Sequence, residues 1–395
     1  MPSQLDEQNT YDNVLHWTWT ASDKTPEFAT TYGGHTGTGQ DVHNDVEGDD
    51  CWTHYEQFRR TSLTVFDNWA TGTCNLYFRD GDYLFDVVNG DEITGRDFDH
   101  AYGEGLVLRA HVLADSAALT AAENIAAYIE DEHDGDVPGV DVMQYYGLRG
   151  PARHLLVMTY VAQESSNAHW DTVRDHIIDL FIQAPNFEAG ADGGMYFVGA
   201  DEMANISSGD FDSADWNAGV RLVGTFHIGI AAEAHWRAYL ATGRADVRQR
   251  IIDMADWVMY YAYDNATWTH PMPGATIGQL ANLARYDRDD GGTNSADTKS
   301  TDPSWSTNLV NLHVMAYKLT GNSAYLTRAQ YLFRRGTRHL PGGSAENPNP
   351  LVPLDEVHHF VDTWANGTAA EFEWNKGELR YTYLLFENGG VPTVL

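Results

Sequence analysis

One short turn recurs along this chain and limits the fold more than any other feature. Ala316-Tyr317-Lys318-Leu319-Thr320-Gly321 leads into Asn322 to Arg335, and Ala238-Tyr239-Leu240-Ala241-Thr242-Gly243 leads into Arg244 to Met259. Each reads as an apolar helix, a Thr-Gly stop and a second helix with one apolar face. Glycine just past the last periodic residue takes the left-handed conformation without a Cβ clash, and so ends a helix. Fainter copies run over Leu76 to Gly81, Ala110 to Asp115 and Tyr160 to Glu164. A repeated helix–turn–helix unit cannot bury its apolar face alone, so the copies must stack.

Periodicity places an inner helix of each unit over 55–79, 100–114, 149–163, 217–242, 304–319 and 371–387. These are apolar around much of their circumference, as in Leu155 to Met158 and Val220 to Ala234, which marks a buried helix. Their partners are amphipaths. Ile251, Ala255 and Val258 share one stripe, as do Tyr325, Leu326, Ala329 and Leu332. The partner after Val87 is weak, because Asn89-Gly90-Asp91-Glu92 breaks it early. Inner and outer helices alternating around a circle give an all-α fold, an (α/α)6-type toroid of helical hairpins. Residues 1–51 are polar and Gly-rich, with the alternating run His16-Trp17-Thr18-Trp19-Thr20. They are expected as an irregular, partly β segment packing on a toroid domain of 52–395, and closing the ring where the chain ends.

Three long connections, 185–215, 264–303 and 340–370, are rich in Gly, Pro, Asp and Asn. Unstructured stretches of this length in a compact domain usually carry function. All three lead into an inner helix, while the turns from inner to outer helix are short. One rim is therefore plain, and the rim at the inner-helix N-termini is elaborated.

Composition narrows the partners. The chain has 395 residues, 43% of them hydrophobic, which is ample for a large core. Its net charge is -33. The only lysines are Lys24, Lys299, Lys318 and Lys376. An acidic, Lys-poor surface resembles that of halophilic proteins, in which salt screens the self-repulsion; an ordinary acidic secreted protein is the alternative. No basic stripe exists to neutralise phosphates, so nucleic acid is excluded as partner. No apolar run approaches the roughly 18 residues of a transmembrane helix, so no membrane insertion is expected. Met1-Pro2-Ser3-Gln4-Leu5-Asp6-Glu7 lacks the basic-then-apolar pattern of a signal peptide. The expected setting is extracellular or surface- or virion-associated, in high salt. Whether Cys51 and Cys74 pair is left open by the sequence.

The elaborated rim carries more than loop filler. The six inner helices begin at Cys51-Trp52-Thr53-His54-Tyr55, Asp99-His100-Ala101-Tyr102-Gly103-Glu104, Tyr145-Tyr146-Gly147-Leu148-Arg149, Asp215-Trp216-Asn217, Trp305-Ser306-Thr307-Asn308 and Glu371-Phe372-Glu373-Trp374. Arg153 and His154 follow one turn into the third, and Arg221 lies beyond the fourth start. Aromatic faces beside amides, acids and arginines are what a sugar ring requires. Its C–H face stacks on the ring and its hydroxyls need polar partners. Trp52, His54, Glu104, Arg153, Trp216, Asn217, Trp305, Asn308 and Trp374 are the candidate substrate-binding residues, and a polysaccharide or cell-surface glycan is the candidate partner. An oligomer, or a virion or surface assembly, is also open.

This architecture resembles the α/α-toroid carbohydrate-active superfamily. That group includes polysaccharide lyases, unsaturated-uronyl hydrolases and several glycosidase families. His100-Ala101-Tyr102-Gly103-Glu104-Gly105-Leu106, followed by a short helix and the Leu113-Ala114-Asp115 turn, is similar to the His-x-x-Gly-Glu-Gly-Leu segment of exo-acting rhamnogalacturonan or ulvan lyase-like toroids. The resemblance implies β-elimination on an acidic, uronate-containing polysaccharide. That chemistry needs a cation to neutralise the C6 carboxylate, a base for the C5 proton and an acid for the departing oxygen. Arg149 or Arg153 suits the first role, His100 or His154 the second, and Tyr102 or Tyr146 the third.

Each assignment has a structural counterpart. His154 also reads as a core histidine bonded to a neighbouring helix, Arg149 and Arg153 as inter-repeat ion pairs, and Glu104 as a cap on its own helix. A glycosidase would need two flanking carboxylates, with Asp99, Glu104, Asp215, Glu371 and Glu373 available. A third reading needs no chemistry, because an aromatic rim can bind a glycan as an adhesion or receptor-binding module. No cofactor is required by any of these. A divalent cation such as calcium is the one ion to consider, at His43, Asp45 and Asp49. Their spacing fits no fixed ligand pattern, and an acidic solvated loop is the simpler reading.

Overall fold

The computed structural model describes residues 102–133, 149–183, 220–260 and 309–337 continuously. It also describes scattered positions within 51–74, short strands between 85 and 297, and residues 384–385. The N-terminal segment 1–50 lies outside the described residues.

Among the described residues four helical hairpins follow one another in sequence. They are α1 (Glu104–Leu113) with α2 (Ser116–His133), α3 (Arg149–Glu164) with α4 (His169–Gln183), α5 (Thr225–Thr242) with α6 (Ala245–Tyr260), and α7 (Val310–Thr320) with α8 (Ser323–Thr337). The first helix of each pair packs on the first helix of the next, α1 on α3, α3 on α5 and α5 on α7. The second helices cover them from outside. The fold is the all-α toroid expected from the repeated turn.

The inner helices are sealed almost all round. Ala152 to Met158 in α3 and Val310 to Ala316 in α7 are buried without interruption. The outer helices bury one stripe each: Ala118, Ala122, Ile125 and Ile129 in α2, and Val247, Ile251, Met254 and Val258 in α6. Each fully buried Ile or Leu contributes roughly 1.5 to 3 kcal/mol of transfer free energy, so these stripes decide which face turns inward.

The turns that the sequence repeats are repeated in space. Gly243 has φ 67° and Gly321 has φ 74°. Their N–H groups donate to Tyr239 O at 2.8 Å and Tyr317 O at 2.7 Å. Thr242 Oγ1 donates to Ala238 O and Thr320 Oγ1 to Ala316 O, each at 2.7 Å. The same hydroxyls then accept from the N–H of Arg244 and Asn322. The α1–α2 copy ends on Ala114 at φ 54°, a left-handed residue that is not glycine. Asp115 follows and caps α2, accepting from Ala117 and Ala118 N–H. Asn167 and Asn322 cap α4 and α8 in the same way.

Three expectations need correction. The helix read as 217–242 begins only at Thr225, because Val220–Gly224 is a strand paired antiparallel with Leu283–Asp287, which pairs in turn with Ala296–Asp297. Two β-branched valines flanking Arg221 and Leu222 suit a sheet as well as a helix, and Arg221 sits opposite Tyr286 in that ladder. The connection 264–303 is therefore not wholly structureless; Gln279–Leu280 also pairs with Tyr263–Asp264. Finally, 55–79 is not one helix. Every described position from Cys51 to Cys74 is helical, yet the two residues have Cα atoms 5.1 Å apart and form a disulfide. A continuous helix would hold them more than about 30 Å apart, so the chain reverses between them. Beyond it, Phe85–Asp86 pairs with Asp91–Glu92 around the predicted break.

Candidate functional site

The N-terminal start of α1, the C-terminal end of α2 and the first turns of α3 come together on the elaborated rim. Gly103 precedes α1 and faces α3 so closely that an added Cβ would lie 3.1 Å from Val157 Cγ1. This contact sets α1 against the middle of α3. Pro151 occupies the first turn of α3, where its missing N–H costs nothing.

Four predicted residues meet in this corner. Tyr102 is buried, and the Arg153 guanidinium carbon sits 4.7 Å from its ring centroid. Stacking of this kind holds the planar cation in place while its edge keeps the hydrogen-bond donors. His154 is wholly buried, with Nδ1 2.9 Å from Nε2 of His133, the last residue of α2. The rings meet edge to face. One nitrogen of that contact must be unprotonated, since one donates and the other accepts. Glu104 is buried, and its Oε2 accepts from Gly103 N–H at 2.9 Å. Glu104 thus bonds the backbone just ahead of its own helix, and His154 bonds a neighbouring helix, as the plainer reading held.

Trp52 lies elsewhere. It is buried, and its Nε1 donates to Tyr160 Oη at 2.7 Å. Arg237 of α5 rests over both rings, 5.8 Å from Trp52 and 5.3 Å from Tyr160. Trp52 thus bridges α3 and α5 rather than standing alone at the start of its own helix. Arg149 opens α3. His54, His100, Tyr146, Trp216, Asn217, Trp305, Asn308 and Trp374 lie outside the described residues, as do His43, Asp45 and Asp49 and the acids Asp99, Asp215, Glu371 and Glu373. Among the described residues no cluster of three or more His, Cys, Asp or Glu side chains is disposed to hold a metal ion, and no helix is long and apolar enough to cross a membrane.

Three participants escaped the sequence reading: His133, Tyr160 and Arg237. His133 carried a usable signal, since it ends an outer helix just before a return to the elaborated rim. Tyr160 and Arg237 sit inside apolar helical runs, where a single polar residue looks incidental.

No protein-family model matches the chain, and no curated protein matches it by sequence. Solved structures do match it in fold. A sugar epimerase from a ruminal bacterium superposes with TM-score 0.56 at 11% identity, over 88% of this chain and 88% of that one. The cellobiose 2-epimerase of Bacillus thermoamylovorans gives TM-score 0.53 at 12% identity, over 85% and 87%. That of Spirochaeta thermophila gives 0.51 at 13% identity, over 88% and 86%. The chain shares the α/α-toroid fold of these sugar-acting enzymes along most of its length.

Proposed function

We propose that the protein is a carbohydrate-active enzyme whose chemistry begins by removing a carbon-bound proton next to a sugar carbonyl or carboxylate. The observation that carries this reading is the buried His133–His154 pair beside the Arg153–Tyr102 stack. A histidine hydrogen-bonded to a neighbouring ring is held in one orientation, which a general base requires. An arginine fixed on a ring supplies positive charge where the enolate oxygen develops. In this scheme His154 takes the proton, Arg153 stabilises the oxyanion and the Tyr102 hydroxyl serves as acid. A toroid fold shared with sugar epimerases supports a sugar as the substrate class.

Two outcomes share that first step. In β-elimination on a uronate, the electron pair left at C5 forms a C4–C5 double bond, the C4–O bond breaks and the acid protonates the leaving oxygen. In 2-epimerisation of a reducing sugar, the proton leaves C2 and one returns from the opposite face. The resemblance of the His100 to Leu106 segment favours elimination, and the structural neighbours favour epimerisation.

Incubation with uronate oligosaccharides and with neutral reducing disaccharides in deuterated water tests the reading. The expected result is deuterium at the carbon next to the carbonyl of an epimer, or ultraviolet absorbance from an unsaturated uronate. New reducing ends with neither signal would replace the reading with a hydrolase. Glycan binding with no turnover would replace it with a binding module.

A further inference from the structure

We infer that Gly103 is a positioning residue for the candidate site: the space left by its missing side chain seats the first turn of α1 on α2 and α3 together, and one added methyl displaces the groups that meet there. The kinetic consequence rests on the proton-abstraction reading above, whereas the geometry does not. A Cβ at Gly103 would lie 3.1 Å from Val157 Cγ1 and 3.7 Å from Val157 Cγ2 on α3, and 3.6 Å from Ile125 Cδ1 on α2. Val157 lies about one turn beyond Arg153 and His154 on α3, and Ile125 about two turns before His133 on α2. Tyr102 and Glu104 are the glycine's own neighbours in the chain. Each residue of the corner is therefore carried by a segment that the added Cβ would touch.

Space, not conformational freedom, is what the glycine supplies, because its φ of -159° lies outside the left-handed region. Carbon atoms pack without strain at about 3.5 to 4.0 Å. A methyl group 3.1 Å from Val157 Cγ1 must therefore displace it. Val157 cannot turn aside. It is wholly buried, as is Ile125, and a β-branched side chain in a helix has one strongly preferred rotamer. A densely packed interior passes such a strain on to the position of the helix. α1 then moves against α2 and α3. Tyr102 leaves its place 4.7 Å from the Arg153 guanidinium carbon, and the 2.9 Å His133–His154 contact between α2 and α3 loosens. Proton transfer requires hydrogen-bond reach, and a misplacement of about 1 Å costs roughly a hundredfold. A shift of a few tenths of an ångström thus costs about 3- to 10-fold.

The test compares Gly103→Ala, Val157→Ala and Gly103→Ala/Val157→Ala in the full, disulfide-intact protein. Val157→Ala removes both methyl groups that the new Cβ would meet on α3. The first readout needs no substrate. It is the nitrogen NMR of isotope-labelled histidines, in which the His133–His154 hydrogen bond is assigned through its loss in His133→Asn. That signal is expected to shift in Gly103→Ala and to return in the double variant to its place in Val157→Ala. The second readout is turnover of the sugar that proton exchange identifies. Gly103→Ala is expected to lower kcat about 3- to 10-fold with KM little changed, and the double variant to recover the kcat of Val157→Ala. A glycine that only stabilises the fold would lower the melting temperature and leave signal and kcat unmoved, which overturns the inference. A shift that Val157→Ala fails to reverse overturns it too. If Gly103→Ala does not fold, a folded double variant with the Val157→Ala signal supports the inference, and an unfolded one overturns it. A signal that moves and returns in a protein that exchanges no sugar proton keeps the positioning role and removes the enzymatic reading. Turnover and signal both indifferent to Gly103→Ala do the reverse.

Discussion

His235 and His313 occupy the same place in successive repeats. Each ring's Nδ1 donates to the carbonyl four residues earlier, at 2.7 Å to Ala231 O and 2.8 Å to Leu309 O. Both rings are buried in inner helices. Burial lowers His235 to about 4, with the Arg250 charge adding to the effect and the Ala231 bond opposing it. Burial lowers His313 to about 3, with the Arg328 charge acting in the same direction and the Leu309 bond opposing it.

These two rings predict acid sensitivity. The unfolded chain holds its histidines near 6.5 and protonates them there, whereas the folded chain keeps both rings neutral. Stability is therefore complete above about pH 6.5, falls as the pH drops below it, and stops falling from this cause near 4 and 3. Each pKa unit is worth about 1.4 kcal/mol, so the pair costs on the order of several kcal/mol at the acid end. Urea melts across that range should show the decline. His313→Gln should flatten it, and an equally steep decline in His235→Gln/His313→Gln would assign acid lability to other groups.

The unequal turn caps predict an asymmetric pair of substitutions. Ala114 adopts φ 54° where Gly243 and Gly321 stand in the equivalent turns. A left-handed L-residue costs roughly 1 to 2 kcal/mol, of which the glycine's greater unfolded-state freedom returns part. Ala114→Gly should stabilise the fold by about 0.5 to 1 kcal/mol. Gly321→Ala should destabilise it by a similar amount, and for the backbone alone, because an added Cβ there meets nothing within 4 Å. Chemical denaturation midpoints at constant m-value check both.

The Cys51–Cys74 disulfide closes a loop with a sequence separation of 23. A loop of that size contributes about 3 kcal/mol in the chain-entropy account. Reduction, or Cys51→Ser/Cys74→Ser, should lower unfolding free energy by about 2 to 4 kcal/mol. It should also loosen the Trp52–Tyr160 contact, which a change in tryptophan fluorescence would report.

What the sequence discloses and what it hides follow from how local each signal is. The Thr-Gly turns could be read because two neighbouring residues carry the motif, the hydroxyl that bonds back into the helix and the left-handed glycine. The outer stripes could be read because Ile251, Ala255 and Val258 lie on one face by helical spacing. The start of α5 could not, since Val220 to Gly224 suits strand or helix and its partner lies some sixty residues on at Leu283–Asp287. The disulfide and the His133–His154 contact join distant residues and leave no local trace. Of the predicted site, Tyr102, Glu104, Arg153 and His154 do gather at one corner, because they flank the starts of adjacent inner helices. Arg237 and Tyr160 were hidden in the apolar runs that identified those helices as buried.

Tyr102 separates the two roles that the corner offers it. As an acid it acts through its hydroxyl, and as a platform for Arg153 it acts through its ring, 4.7 Å below the guanidinium. Tyr102→Phe keeps the ring and removes the hydroxyl, while Tyr102→Leu removes both. With the sugar that the deuterium-exchange panel identifies, an acid role predicts a fall of about a hundredfold in kcat for Tyr102→Phe, the usual scale of a lost general acid, with KM little changed. A platform role predicts near-native kinetics for Tyr102→Phe and a raised KM for Tyr102→Leu, because the arginine is then free to leave its position. His154→Asn should lower kcat by at least about a hundredfold in either case. His133→Asn should fall by less, since His133 only orients the base. If His154→Asn retains native kcat, the base is not His154 and the proton-abstraction scheme loses its central residue.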